Sequence, residues 1–244
     1  MRPVKRGNSP VPDDYTDYTK AQPDLVSRLG QYCSYCERPI STQLAVEHIQ
    51  PKGLPKYEHL EGRWNNFLLA CVNCNSNKSD KDVLFANLLL PDRDNTFAAF
   101  NYLQDGTIEP SELTIKKKLD AKAQATLELT GLHKAAVYTP DVNGKQVALD
   151  RVSQRMNIWL IAEEARTDLD NSRENQLLRK WIIKNAIANG FFSIWMVVFS
   201  HDPDMRSRLI DAFPGTRDSE CFDQNSNTIS PAPNPDQLDH GGKI

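Results

Sequence analysis

The chain has 244 residues, 39% of them hydrophobic and 25% charged, with a net charge of -3. That is ordinary for a globular protein, and long enough for one large domain or a small module plus a second core. The near-neutral charge argues against binding nucleic acid by bulk electrostatics, and the longest apolar run, 190–200, is too short to span a bilayer. The opening stretch "MRPVKRGNSPVP" is basic but has no apolar run behind it, so no secretion signal is expected and the chain reads as cytoplasmic. Thiols stay reduced in that compartment, so paired cysteines there favour metal or redox chemistry over disulfides.

In chain order, residues 1–30 read as a proline-containing N-terminal arm. They hold one short helix, "DLVSRLG" at 24–30, which Gly30 ends. Residues 31–90 carry all the paired cysteines and read as a module of their own. "FAAFNYLQDGTIEPS" at 97–111 predicts a hairpin around Asp105-Gly106. "TIKKKLDAK" at 114–122 reads as a solvated helix face. Leu149, Val152, Met156, Trp159 and Leu160 recur near helical spacing, as do Leu178, Trp181, Ile182 and Ala186. Gly190 then stops a helix, and Asp202-Pro203 supplies an N-cap and first turn for the next. Residues 91–223 are thus expected to be mostly helical; most large apolar groups of "GFFSIWMVVFS" and of the tryptophan-bearing helices read as core, with some available as a face for docking a partner. The polar tail 224–244, rich in Pro, Asn and Gly, is expected to be disordered.

Cys33/Cys36 and Cys71/Cys74 are two Cys-x-x-Cys knuckles. Together they offer the four sulfurs that tetrahedral zinc prefers, whereas a redox dithiol needs only one pair. Four thiolates fill the zinc shell, so such a zinc is structural and any chemistry belongs to other groups. The fifth cysteine, Cys221, reads as a buried or semi-buried free thiol.

Residues 37–70 separate the knuckles, enough to form structure of their own. "LAVEHIQPKG" at 44–53 predicts a strand ending in Glu47-His48 and stopped by Pro51, and "RWNNFLLAC" at 63–71 a second strand-like segment. "CNSNKSDKDVLFANLL" at 74–89 predicts a helix beginning at the knuckle. That order brings His48 towards Asn75 and Asn77. A carboxylate, an imidazole and amides converging there suit Mg²⁺ or Mn²⁺. An imidazole beside such a cation can take a proton from the water that attacks phosphorus.

Both knuckles, the Glu-His pair, the Trp-x-Asn segment and the Cys-Asn-x-x-Lys stretch occur in one order across residues 31–82. In this the chain resembles the HNH endonuclease family in its four-cysteine, ββα-metal form. The resemblance implies that His48 is the general base, Glu47 a Mg²⁺ ligand, and Asn66 the residue that orients the catalytic loop. Asn75 stands where many members carry the final histidine, a departure shared with the HNH domain of the RNA-guided CRISPR nucleases. An asparagine there still offers an oxygen to the metal. Lys78 and Lys52 are candidate substrate contacts, Lys56 reads as solvent-facing, and His59 reads as a loop residue, with substrate contact the lesser alternative.

Residues 31–90 carry six Lys and Arg against six Asp and Glu, so the module is expected to bind DNA weakly alone and to be recruited by something else. The wider layout, with "LLLPDRDNTFAAFNYLQDGTIEP" after the module and "FPGTRDSECFD" near the end, is similar to the HNH component of Septu anti-phage systems, some of them attached to retrons. That similarity implies a partner ATPase that senses infection and gates the nuclease. The reading is therefore an α+β fold, a zinc-stapled ββα-metal module with a mostly helical C-terminal region, acting as a metal-dependent DNA endonuclease. A nuclease cutting RNA or tRNA, and a non-catalytic zinc ribbon that docks nucleic acid or protein, are the alternatives.

Overall fold

The knuckles and the strands between them build the first half of the molecule. A computed structural model describes residues 1–136, 138–140, 142–143, 146–148 and 150–244. Helix α1, Gln22–Leu29, buries Leu25 and Leu29 and ends at Gly30, whose φ of 74° suits a residue without a Cβ. Strands β1, Ala45–His48, and β2, Phe67–Ala70, pair antiparallel, with Glu47 opposite Leu68 and His48 opposite Phe67. All four residues of β2 are buried, so this short ribbon runs through the core rather than along the surface. Helix α2, Val72–Lys78, follows at once, with the Cys71 sulfur as its N-cap acceptor. Strand, strand and helix are the ββα arrangement expected from the order of segments.

Helix α2 is shorter than the predicted 74–89. It starts at the knuckle but stops at Ser79, where φ is 45°, and the chain then runs as loop with one 3-10 turn at Phe85–Asn87. Two contacts explain the exit: Asp82 is held by Lys56 and by the Tyr57 hydroxyl, and Val83 turns fully inward. A continued helix would forfeit both.

Helix α3, Thr96–Ala99, leads into the hairpin of β3, Phe100–Tyr102, and β4, Ile108–Pro110, which turns at Asp105-Gly106 as predicted. Helices α4, Glu112–Lys116, and α5, Asp120–Thr130, follow, then the ribbon of β5, Tyr138–Pro140, with β6, Gln146–Ala148. The last helices are α6, Arg151–Asp170; α7, Gln176–Asn189; α8, Phe192–Val198; and α9, Pro203–Ala212. Gly190 closes α7, and the Asp202 carboxylate accepts from the Met205 N–H to cap α9, both as expected. Of the first apolar series, Leu149 lies outside the described residues, and Leu160, like Trp181 of the second, faces outward. The "GFFSIWMVVFS" stretch is core: Phe192, Trp195, Met196 and Phe199 are fully buried.

The tail does not behave as its composition suggests. Ile244 is fully buried, and its carbonyl accepts from the Asn95 and Ala232 N–H groups. Lys243 pairs with the buried Asp94 at 3.0 Å, and Asp236 accepts from the backbone N–H groups of Arg6 and Gly7. Low-propensity sequence is ordered here by tertiary partners that composition does not report. The arm is likewise woven in: Val4 is buried, and the Arg6 guanidinium donates to the carbonyls of Asn65 and Phe67.

The cysteine module also has no clean boundary with the helices. Phe191 N–H donates to the Glu37 carbonyl, and the Glu37 carboxylate accepts from Ser193 N–H and Oγ, capping the start of α8 from the first knuckle. A Cβ on Gly190 would stand 2.5 Å from that Glu37 carbonyl, so this approach needs glycine. No described helix is long and apolar enough to cross a membrane.

Candidate active site and metal centre

The four knuckle sulfurs lie within 4.8 Å of one another, all on buried residues. Cys36 Sγ and Cys71 Sγ are 3.7 Å apart, close to the edge of about 3.8 Å that a tetrahedron with Zn–S bonds of ~2.3 Å requires. Within each knuckle the second cysteine's N–H approaches the first cysteine's sulfur, at 3.5 Å in Cys33/Cys36 and 3.4 Å in Cys71/Cys74. Donor type, burial and spacing fit structural zinc. Among the described residues no other group of three or more His, Cys, Asp and Glu is close enough to hold a metal.

A pocket of about 400 Å³ wraps the end of β1 and the last turn of α2. Glu47, His48, Lys52, Asn75 and Lys78 all line it. Five of the sequence-predicted site residues therefore meet in one cavity. Asn77 does not, and its side chain instead bonds to the Asn73 carbonyl.

His48 is 8% exposed and set between the rings of Tyr18, 4.7 Å away, and Phe67, 5.2 Å away, both edge-on. Its Nε2 is 2.9 Å from the Glu61 carbonyl oxygen. A carbonyl only accepts, so Nε2 carries the hydrogen and Nδ1 keeps the lone pair. Burial lowers the pKa of this histidine, outweighing the Glu61 carbonyl, which would raise it. His48 is thus a neutral imidazole of fixed tautomer at neutral pH, the form a general base needs.

Asn66 does not line the pocket but works behind it. Its Oδ1 accepts from Gln50 N–H at 2.8 Å, and its Nδ2 donates to the Gln50 carbonyl at 2.9 Å. This two-way clasp fixes the loop leaving His48. Arg6 in turn holds the carbonyls on either side of Asn66, a role the arm's sequence did not suggest.

Glu47 is almost fully buried and paired with Lys78 at 3.1 Å, each side chain 2% exposed; the Tyr35 hydroxyl lies 3.5 Å away. Burial pushes the Glu47 carboxyl up to about 7 despite both partners. Lys78 closes the last turn of α2 rather than sitting at a helix start open to phosphate, so the expected substrate lysine is tied to the expected metal ligand. Lys52, by contrast, sits at the rim, paired with Glu61 at 2.6 Å and 4.1 Å above the Tyr18 ring. Glu47 and Asn75, a carboxylate and an amide, both line the cavity. That fits a hard cation such as Mg²⁺, which typically takes one or two protein carboxylates and completes its shell with water and substrate phosphate.

Sequence reasoning missed Tyr18, which reaches the pocket from the arm, and Ser79 and Asp80, which the early end of α2 delivers to it. A tyrosine 30 residues from His48 carries no local signal, and the other two depend on where the helix stops. Residues 33–81 match the family model for HNH endonuclease. No curated protein matches the chain.

Proposed function

We propose, taking residues 33–81 as an HNH endonuclease module, that the pocket hydrolyses phosphodiester bonds of DNA. The observation that carries this reading is the His48 imidazole at the pocket wall, neutral and with Nε2 locked to the Glu61 carbonyl. Nδ1 then takes a proton from a water aligned with the scissile phosphorus. Asn66 keeps that ring in register by clasping the Gln50 backbone. Lys52 at the rim meets the approaching phosphate, exchanging its pairing with Glu61. A Mg²⁺ or Mn²⁺ ion held by Glu47 and Asn75 would supply charge stabilisation at the phosphate and the leaving oxygen. Cys33, Cys36, Cys71 and Cys74 would hold a zinc ion that fixes the start of α2 and hence the position of Asn75.

The wider layout supports an anti-phage effector gated by a partner ATPase, and the balanced charge of residues 31–90 supports recruitment rather than free DNA binding. The test is cleavage of plasmid, single-stranded DNA and RNA by purified protein, alone and with a candidate ATPase. Mg²⁺, Mn²⁺ or no added cation is supplied in parallel, with His48→Ala as control. Metal-dependent cutting of DNA that His48→Ala abolishes supports the reading. Cutting of RNA alone assigns the substrate to RNA. Activity untouched by His48→Ala removes the histidine from the mechanism.

A further inference from the structure

Four thiolates and one Zn²⁺ sum to a formal charge of -2, here enclosed where Cys33 is 1% exposed and Cys74 is 0% exposed. Such a charge is costly in a dry interior unless it is met by opposite charge and hydrogen bonds. The knuckle N–H groups reach Cys33 and Cys71 but not the second cysteine of each pair. What meets Cys74 comes from the helical half of the chain. Arg151 Nη1 lies 3.1 Å from Cys74 Sγ, and the same guanidinium donates to the Thr130 carbonyl at 2.9 Å and the Gly131 carbonyl at 2.5 Å. One turn further along α6, Arg155 is 3% exposed and bonds the Gly106 carbonyl through Nε, while its Nη1 has no hydrogen-bond partner among the described residues. Burial, then the neighbouring Arg151, lower the Arg155 pKa, and Cys36, Asp150 and Cys74 oppose them.

We propose that Arg151 and Arg155 of α6 are the counter-charges of the zinc-thiolate centre, and that Arg151 is a positioning residue coupling the C-terminal helices to the catalytic pocket through Cys74. Three features support it. The two arginines bring +2 to a formal -2. Arg151 is the first residue of α6 and also grips the last carbonyls of α5, so one planar fork joins two helices and a metal ligand. Cys74 is followed directly by Asn75, which lines the pocket. A shift of α6 thus reaches the residue before Asn75 through the guanidinium–sulfur contact, alongside Arg38, which bonds both Asn73 of α2 and Gln154 of α6. The inference concerns the zinc site and stands whether or not the pocket cuts DNA.

The test compares wild type with Arg151→Lys, Arg151→Met and Arg155→Met, each loaded with zinc and then, separately, with cobalt. Zinc release to a chromogenic chelator is followed in time, and near-ultraviolet circular dichroism reports the tertiary fold. Release is expected to quicken from wild type to Arg151→Lys to Arg151→Met, by about tenfold or more in the last. The thiolate-to-cobalt absorption band is expected to move to lower energy in both methionine variants, because a sulfur without its cationic neighbour gives up electron density more easily. A purely structural arginine would not move that band. Should Arg151→Met fail to fold, Arg151→Lys and Arg155→Met decide the matter. Folded variants with wild-type release rates and an unmoved band overturn the proposal.

Discussion

Lys78 Nζ lies 3.1 Å from Glu47 Oε1, and both side chains are 2% exposed. A lysine expected to greet a phosphate is therefore the buried counter-ion of the carboxylate beside His48. Removing one member of such a pair leaves the other charged and unpaired, which is worse than removing both.

Lys78→Met is accordingly expected to cost about 3 kcal/mol of stability at pH 8. The loss should shrink at pH 5.5, because Glu47, already held near 7 by burial, then takes a proton and no longer buries a charge. The sign follows from linkage: a carboxyl with its folded-state pKa above its unfolded one contributes stability at low pH and loses it as pH rises through about 7. Glu47→Gln combined with Lys78→Met should recover most of the loss. Urea denaturation at both pH values measures this, and a pH-independent penalty would refute it.

The rate–pH profile tests His48. Burial lowers its pKa, so the neutral base persists below the ordinary histidine range. With Mg²⁺ saturating, so that Glu47 stays ionised, activity should rise with pH through an inflection below 6.5, the ordinary value, and then level off. His48→Ala should reduce kcat by about 10² to 10⁴, the usual range for loss of a general base, with the fold unchanged by circular dichroism. An acidic limb displaced above 6.5 would mean that another group is titrating.

Asn66→Ala removes both bonds to the Gln50 backbone and leaves buried polar groups unmatched. A destabilisation of about 1–3 kcal/mol is expected. At temperatures where the variant is fully folded, kcat should still fall while KM changes little. A normal kcat in the folded variant would show that the clasp serves stability alone.

Metal stripping tests whether the halves fold together. Glu37 of the first knuckle caps α8, and Arg151 of α6 grips the second knuckle. Zinc removal should therefore lower the thermal midpoint of the whole chain in one cooperative transition, with added zinc restoring it and Mg²⁺ not doing so. Two transitions, with the helical half unmoved, would mark an independent module.

Much of the site was legible in the amino-acid order because its chemistry is local. Two Cys-x-x-Cys knuckles fix sulfur geometry over four residues each. Glu47-His48 at a strand end and Asn75 after the last cysteine follow from the same short-range periodicities. The Asp105-Gly106 hairpin, the Gly190 stop and the Asp202 cap were readable for the same reason: each is decided by one or two residues' own backbone preferences.

What only the tertiary structure decided is who neutralises whom. Lys78 turned inward because the buried Glu47 carboxylate needed a counter-charge there. The polar tail became ordered because Asp94, at 1% exposure, accepts from it and pairs with Lys243. Tyr18 from the arm and Arg151 from α6 reached the candidate pocket and the second knuckle from 30 and 77 residues away. Pairings of buried charge depend on three-dimensional proximity and on exclusion of water, neither of which has a period along the chain.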